Sequence, residues 1–265
     1  YLVGQPITGR TTFKGTTTGL DITSLSGTIY GGTLTGTGRL SMAPAGLSGL
    51  QGQMTVRNIS IGQLAQNNLP IAGTGSGSLL IDSRGTRTTV QGKLSLANAS
   101  LMGQKLTALK IAGSFDRGRW NLTTFDLTGP GQAVIKSTGT LDAQNNFKFY
   151  VIAGNLHVSN PKMLGGSAAD ISKFSGTLSG RLTPELIKHP LRYLTATGEV
   201  AAANIKLGPQ KITTASGGFS HSRGRLALNN FLANLRTGTI TLTGTSGGGV
   251  PTNLTVESDG LRVED

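Results

Sequence analysis

The sequence predicts an all-β fold, built from irregular repeats and rich in antiparallel strands, with few short helices. Three observations indicate this: a composition dominated by glycine and hydroxyl residues, strand-like runs separated by turn signals, and a recurring strand motif. Short strands with turns at intervals of about 8–12 residues are typical of all-β proteins.

Composition favours strands over helices. The 265 residues include 40 glycines, and the apolar fraction is 36%. Glycine is costly inside helices, whereas threonine prefers strands because its branched Cβ fits the pleat. No charged amphipathic stretch of helical length stands out, so the helix content is expected to be low.

Strand-like runs cover most of the chain, and residues suited to tight turns separate them. The predicted tips include Tyr30-Gly31-Gly32, Ser83-Arg84-Gly85, Arg117-Gly118, Asp142 to Asn146 and Arg223-Gly224. The runs are Ile22 to Leu40, Gln53 to Ile61, Leu79 to Leu96, Leu106 to Leu127, Val134 to Leu141, Phe147 to Val158, Phe174 to Leu182, Thr195 to Leu207, Phe219 to Leu228, Leu232 to Thr245 and Asn253 to Val263.

The pattern Gly-x-φ-x-x-x-Asn, where φ is apolar, occurs four times, beginning at Gly52, Gly92, Gly154 and Gly198. We interpret it as a strand that begins at a glycine, which allows the backbone to bend, and ends at an asparagine, which tolerates left-handed geometry. The separations of 40, 62 and 44 residues are too uneven for a solenoid of fixed period.

A longer match, at a spacing of about 106 residues, pairs the tip Arg117-Gly118-Arg119 with Arg223-Gly224-Arg225 and Phe125 with Phe231. We therefore expect one elongated, repeat-built domain over residues 1–265, with a weak boundary signal near 160–173. The chain begins at Tyr1 without a signal-like segment, which suggests an excerpt of a larger protein.

Helices are expected at two places, Ile61 to Asn67 and Pro184 to His189, the second opened by proline at its first position. The stretch Asn160 to Ala169 is expected to be a long loop.

The net charge of +12 favours anionic partners such as lipid headgroups or nucleic acid. The cations are dispersed, however, and one tryptophan with four tyrosines offers little for base stacking, so we expect no nucleic-acid binding. Cysteine is absent, which removes disulfides and thiolate metal sites and leaves the compartment open.

No motif for catalysis or metal binding is found. The histidines His157, His189 and His221 are isolated from one another, and no phosphate-binding glycine loop is present. Ser246 lies in a formal nucleophile-elbow pattern, but Pro251 follows it where a helix would have to start. We therefore predict that the protein is not an enzyme and that it needs no cofactor or metal.

Two sets of residues are candidates for a binding role. Alternating apolar residues are expected either to line a lipid groove or to fill a closed β core, since alternation alone does not distinguish the two. The candidate lining residues are Leu94, Leu96, Leu109, Ile111, Phe147, Phe149, Val151, Val200, Ile205, Leu207, Ile240 and Leu242.

Arginines at hairpin tips form the second set. Their guanidinium groups are expected either to contact lipid headgroups or to keep the tips soluble and prevent pairing at the sheet edges. The candidates are Arg84, Arg87, Arg117, Arg119, Arg223 and Arg225.

The stretch from Ile22 to Leu40, with its Tyr30-Gly31-Gly32 turn, resembles the strands of AsmA/TamB-type bacterial envelope proteins. The four repeated motifs and the segment Phe174 to Leu182 are similar to the same repeating strands. The resemblance implies a β-taco or open β-groove, which is a long curled sheet, rich in antiparallel strands and lined with aliphatic side chains. It also implies a periplasmic location, anchorage to the inner membrane through a segment outside this chain, and a role in lipid transport and outer-membrane biogenesis.

The function predicted from these observations is a periplasmic groove that binds or transfers phospholipid or another anionic lipid. One alternative is a scaffold that assists assembly of an outer-membrane β-barrel partner by strand pairing. A second is a surface adhesin or passenger-type β-solenoid, which the uneven motif spacing disfavours.

Overall fold

The fold is all-β, as predicted, and the sheet is antiparallel and curled. The computed structural model describes residues 8–44, 46–64, 71–101, 104–160, 167–207, 210–249 and 251–260. The chain divides into two compact units, Tyr1–Pro130 (unit 1) and Gly131–Asp265 (unit 2). The segment 160–173, where the sequence carries a weak boundary signal, lies within unit 2.

Unit 1 is an antiparallel meander in which strands that follow one another along the chain lie side by side. The two-residue strand β7 pairs with the end of β6, and β8 continues the sheet beside β6. The strands are β1 (Thr8–Thr16), β2 (Gly19–Ile29), β3 (Gly32–Ala43), β4 (Gly46–Ser60), β5 (Ile71–Arg84), β6 (Arg87–Leu101), β7 (Gln104–Lys105), β8 (Ala108–Asp116) and β9 (Arg119–Thr128).

Unit 2 repeats this arrangement, with the short strand β12 beside β13 and the other strands paired in chain order. Its strands are β10 (Val134–Leu141), β11 (Asn146–Gly154), β12 (Leu156–Asn160), β13 (Ser167–Arg181), β14 (Thr195–Leu207), β15 (Gln210–Ser222), β16 (Arg225–Asn234), β17 (Thr239–Gly247) and β18 (Asn253–Asp259).

The helices are short. They are α1 (Ile61–Leu64), α2 (Pro184–Lys188) and α3 (Pro190–Tyr193), and a 3-10 turn covers Pro130–Gln132. The helix predicted at Pro184 is confirmed: the side chain of Thr183 caps it by accepting a hydrogen bond from the backbone N–H of Leu186 at 3.2 Å. The helix predicted from Ile61 is present at its first turn, and residues 65–67 lie outside the described residues.

The predicted long loop is only partly testable, because residues 161–166 lie outside the described residues. On either side of them the prediction was wrong, since Asn160 ends β12 and Ser167 to Ala169 begin β13. The hydroxyl and alanine side chains of this stretch carried no sequence signal for a strand.

Two-residue turns close the hairpins at four of the five predicted tips, whereas four residues, 142–145, connect β10 to β11. Tyr30-Gly31, Arg117-Gly118 and Arg223-Gly224 all have positive φ at both residues. This is the signature of type I′ turns, whose twist matches that of the paired strands. The long internal match found in the sequence therefore corresponds to two hairpins of the same construction, β8–β9 and β15–β16.

Three of the four motif asparagines have left-handed geometry and do not end their strands, whereas the fourth, Asn160, is the last residue of β12. Asn58, Asn98 and Asn204 have φ of 56°, 49° and 50°, yet β4, β6 and β14 each continue past them. At Asn58 the pairing with β5 shifts register between Val56 and Ile59. At these three positions the expectation that the strand ends at the asparagine was wrong, because one left-handed residue makes a β-bulge rather than a turn.

Candidate functional site: an apolar sheet face

One face of unit 1 is apolar across neighbouring strands. Residues directly opposite one another in an antiparallel pair project to the same side of the sheet, so the pairing registers define four apolar rows. The rows are Ile59, Gly75, Leu96, Leu109, Leu127; Leu34, Val56, Gly77, Leu94, Ile111, Phe125; Gly36, Met54, Leu79, Gly92, Gly113, Leu122; and Gly38, Gly52, Ile81, Val90, Phe115, Trp120.

The opposite face of the same strands is polar. Its rows alternate with the apolar ones, as a period of two along each strand requires. They are Thr35, Thr55, Ser78, Lys93, Ala112, Thr124; Thr37, Gln53, Leu80, Gln91, Ser114, Asn121; and Arg39, Gln51, Asp82, Thr89, Asp116, Arg119. The sheet of unit 1 is therefore amphipathic over at least six strands.

Unit 2 has an apolar face of the same kind. One of its rows contains Val151, Gly176, Gly198, Phe219, Leu228 and Gly244, and the next contains Ile135, Ala153, Phe174, Val200 and Gly217. Phe174 and Phe219 pack against each other with ring centroids 5.9 Å apart. Beyond a bulge in β16, Phe231 lies opposite Leu242 on the following strand.

Glycines let neighbouring strands approach closely on this face. A Cβ added to Gly198 would lie 2.3 Å from the carbonyl oxygen of Ser175, and one added to Gly77 would lie 2.2 Å from that of Lys93. Side chains do not fit such spaces, so the close approach of these strands depends on glycine at these positions.

The apolar face is only partly shielded from solvent. Among the described residues no side chain falls below 2% exposure, and Leu79, Leu94 and Ile111 are partly exposed. In a closed sandwich the inner faces of two sheets interdigitate and bury such residues. Near α1, by contrast, the face is covered: Ile61 packs over Gly75, and Leu96 and Leu109 are 5% and 3% exposed.

The predicted lining residues with described side chains lie on these apolar faces. In unit 1, Leu94 is directly opposite Ile111 and Leu96 is directly opposite Leu109. Of these four, only Leu94 and Ile111 are partly exposed. Leu96 and Leu109 are buried, in one row with Ile59 and Leu127.

In unit 2, Phe147, Phe149 and Val151 alternate along β11, where the rings of the two phenylalanines stack with centroids 5.4 Å apart. The remaining candidates of this unit are partly exposed and paired with apolar neighbours, namely Val200 opposite Phe174, Ile205 opposite Ile212, Ile240 opposite Ala233 and Leu242 opposite Phe231. The side chain of Leu207 lies outside those described.

Those arginine candidates that lie within strands are not on the apolar face. Arg119 lies opposite Asp116, and Arg84 lies opposite Arg87, in rows of the polar face of unit 1. Arg225, opposite Gly247 in unit 2, is one residue out of phase with the apolar Leu226. Arg117 and Arg223 lie at hairpin tips, where neither face is assigned by pairing.

Three of these guanidinium groups are already engaged, that of Arg225 by donating a hydrogen bond from Nη2 to Oγ1 of Thr245 at 3.0 Å. Arg87 donates two hydrogen bonds to Asp116, at 3.2 Å from Nε and 3.1 Å from Nη2, and Arg84 donates one to Asp82 at 3.0 Å. The exposed ion pairs contribute little to stability. They do reduce the positive charge that these two side chains offer to an anionic ligand.

An apolar cavity of about 350 Å³ opens on the apolar face of unit 1, between β5, β6, β8 and β9. Its apolar wall includes Leu79, Leu94, Ile111, Trp120 and Leu122. Sequence reasoning missed Leu79, Trp120 and Leu122 because their meeting depends on strand register. A second cavity, of about 520 Å³, has a polar lining that includes Arg39, Gln51, Asp82 and Thr89.

The histidines are not gathered into a site. Nδ1 of His157 donates a hydrogen bond of 2.7 Å to Asp170, which also accepts one of 2.8 Å from Asn204. These hydrogen bonds, that of His157 first, lower the pKa of Asp170 below its ordinary value. Among the described residues no group of three potential metal ligands occurs.

Comparisons with protein-family models, with curated proteins and with solved structures gave no match. Within the described part of the chain, no helix has the length and apolar character needed to cross a bilayer.

Proposed function

We propose that this chain is a non-enzymatic lipid-binding module whose apolar sheet face shelters the hydrocarbon chains of phospholipid or another anionic lipid. The observation that carries the proposal is the continuous apolar face of unit 1, which stays partly exposed while the opposite face is polar. Monomeric soluble proteins rarely expose apolar patches larger than a few hundred square ångströms, and larger patches mark binding surfaces.

The energetics suit a lipid ligand. Burying a hydrocarbon chain contributes about 0.8 kcal/mol per CH₂, so a chain of about sixteen carbons gains roughly 10–13 kcal/mol on leaving water. A long apolar surface lined by partly exposed residues such as Leu79, Leu94 and Ile111 can supply contacts along such a chain. The net charge of +12 favours lipids with anionic headgroups.

The resemblance to AsmA/TamB-type envelope proteins supports placing this module in the periplasm, where lipid must cross an aqueous space during outer-membrane biogenesis. In that setting an apolar trough would lower the barrier to transfer between membranes. Lipid transport is the role that we propose, and lipid binding is the step of it that this chain would perform.

Lipid binding is tested by native mass spectrometry and by solvent extraction of the purified protein. We expect co-purified phospholipid, and after delipidation we expect saturable uptake of a fluorescent fatty acid. Serum albumin serves as the positive control, and a β-rich protein with a closed core serves as the negative control. A protein that purifies free of lipid and also fails to take up the probe would refute the proposal.

A second candidate function is pairing with an extended client strand, such as one from an outer-membrane β-barrel. The edge strands β1 and β18 favour it. Every residue of β1 and of β18 is exposed, and on β18 Leu254 and Val256 are 42% and 59% exposed. Backbone groups along such a strand can pair with an added strand, and alternate side chains then set specificity.

Because the sequence contains no cysteine, a single introduced thiol reports on this pairing. Val256→Cys should form disulfides with cysteine-bearing strand peptides of a barrel protein. Tyr150→Cys, exposed but on the interior strand β11, should not. Equal capture at the two positions would exclude strand addition.

A further inference from the structure

The apolar cavity of unit 1 has the features of a binding site for one hydrocarbon chain. Its floor is formed by Gly92 and Gly113, which lie directly opposite each other and carry no side chains. Leu79 and Leu122 extend the same row on either side, and Leu94 lies opposite Ile111 in the adjacent row. We call this cavity the Trp120 notch, because Trp120 lies at its end.

Trp120 occupies the end of the notch next to the β8–β9 tip. Its ring packs against Phe115, with centroids 4.8 Å apart, and it remains 51% exposed. In the opposite direction along β6 and β8 the face becomes buried at Leu96 and Leu109. The notch is therefore open towards the tip and closed towards these two leucines.

The tip beside Trp120 is positively charged. Arg117 lies in the turn itself, and Arg119 follows it on the polar face. The carboxylate nearest to them in sequence, Asp116, is engaged by Arg87 through two hydrogen bonds. Arg117 has no hydrogen bond or ion pair among the described residues, so its donors are free to meet an anion.

We infer that the Trp120 notch binds one acyl chain of an anionic lipid in a fixed orientation, with the headgroup at Arg117 and the methyl end towards Leu94 and Ile111. This inference rests on the proposed lipid-binding function and adds a location and a polarity to it. The apolar lining selects hydrocarbon, and the charge of the tip selects an anionic headgroup over a zwitterionic one.

Trp120 is the only tryptophan in the chain, so its fluorescence reports on the notch alone. The probes are phosphatidylglycerols brominated either near the headgroup or near the methyl end of one chain, since bromine quenches indole fluorescence at contact. We expect stronger quenching from bromine near the headgroup. The reverse order, equal quenching at both positions, or no quenching while lipid is bound would overturn the orientation or the site.

Filling the notch provides the second measurement. A Cβ at Gly92 would be 3.4 Å from Cδ1 of Leu79 and 3.8 Å from the carbonyl oxygen of Ser78, both ordinary contacts, so Gly92→Leu places a side chain in the notch without a backbone clash at Cβ. Gly52→Leu is the matched control, because Gly52 lies on the same face and its Cβ would be 3.6 Å from the nearest atom. Only Gly92→Leu should abolish quenching.

Removing the tip charge tests the headgroup contact. Asn tolerates left-handed geometry, so Arg117→Asn preserves the turn, and Arg223→Asn is the control at the equivalent turn of unit 2. Arg117→Asn should weaken binding of phosphatidylglycerol at the notch by about tenfold, leaving phosphatidylcholine unaffected. Equal effects of the two substitutions would refute the assignment of the headgroup to Arg117.

The two proposals fail in distinguishable ways. Lipid detected by native mass spectrometry without quenching of Trp120 would refute the notch and leave lipid binding intact. A protein that binds no lipid at all would refute both.

Discussion

Leu79 and Leu80 are consecutive residues of β5 whose side chains lie on opposite faces of one sheet. Leu79 is opposite Met54 and Gly92 on the apolar face, and Leu80 is opposite Gln53 and Gln91 on the polar face, where it is 48% exposed. Two leucine side chains at adjacent positions of one strand therefore lie in different surroundings, one on the proposed lipid-binding face and the other on the polar face in contact with water.

This relationship yields a direct comparison of the two faces. Leu79→Gln should reduce uptake of a fluorescent fatty acid by about five- to tenfold, because it removes apolar contact worth roughly 1–1.5 kcal/mol. Leu80→Gln should leave uptake unchanged. Uptake is measured by titration of delipidated protein, and circular dichroism verifies that both variants remain folded. Equal losses in the two variants would contradict binding at the apolar face.

Glycine at the closely approaching strands is expected to be required for stability. Gly198→Ala places a Cβ 2.3 Å from the oxygen of Ser175 and 2.7 Å from the Cα of Gly176, so the strands must separate. We expect the free energy of unfolding in urea to fall by about 1–3 kcal/mol. Gly52→Ala, where the nearest atom is 3.6 Å away, should be neutral or slightly stabilising. A neutral Gly198→Ala would show that this close approach is dispensable.

The bulge at Asn58 is expected to depend on left-handed backbone geometry. Its φ is 56°, and its backbone N–H donates a hydrogen bond to Oγ of Ser76 at 3.1 Å. Asn58→Val should lower the free energy of unfolding by about 1–2 kcal/mol, since a residue with a branched Cβ is disfavoured there. Asn58→Gly should cost less, because glycine adopts positive φ freely. If the glycine variant is as unstable as the valine variant, the geometry is not the cause.

The pH dependence of unit 2 should include Asp170. Its folded pKa is lowered, so its contribution to stability is present above the unfolded pKa and is lost as the pH falls through the lowered folded value. Carbon-detected NMR titration of the carboxyl group should show the lowered pKa. His157→Ala should raise it more than Asn204→Gly, which removes the amide and still permits φ of 50°. An unchanged Asp170 pKa in both variants would exclude these hydrogen bonds as its cause.

Local signals predicted the strands and turns well because their causes are local. The turns at the Arg-Gly tips could be predicted because glycine and the twist of paired strands favour type I′ turns. The predicted helix at Pro184 was readable from proline at its first position. The asparagine of the repeated motif was recognised as a left-handed residue, but whether such a residue ends a strand or bulges it depends on the neighbouring strand, which the motif does not contain.

The candidate site was only half predictable for the same reason. Alternation identified Leu94 and Ile111 as residues sharing a face with other apolar side chains. It did not show that Leu96 and Leu109 would be buried, nor that Gly92 and Gly113 would lie opposite each other and form a notch that ends at Trp120. These facts depend on which strands are neighbours and on their register.

The sequence by itself determined that the protein is all-β, that its strands are amphipathic and that its hairpins close through glycine-containing turns, because each of these follows from the period and chemistry of a few adjacent residues. Only the tertiary structure decided which face is apolar across many strands, how far that face stays open to solvent, and where the arginines lie relative to it. A one-residue difference in register moves a side chain from one face to the other, and register is set by pairing between segments that are distant in the chain.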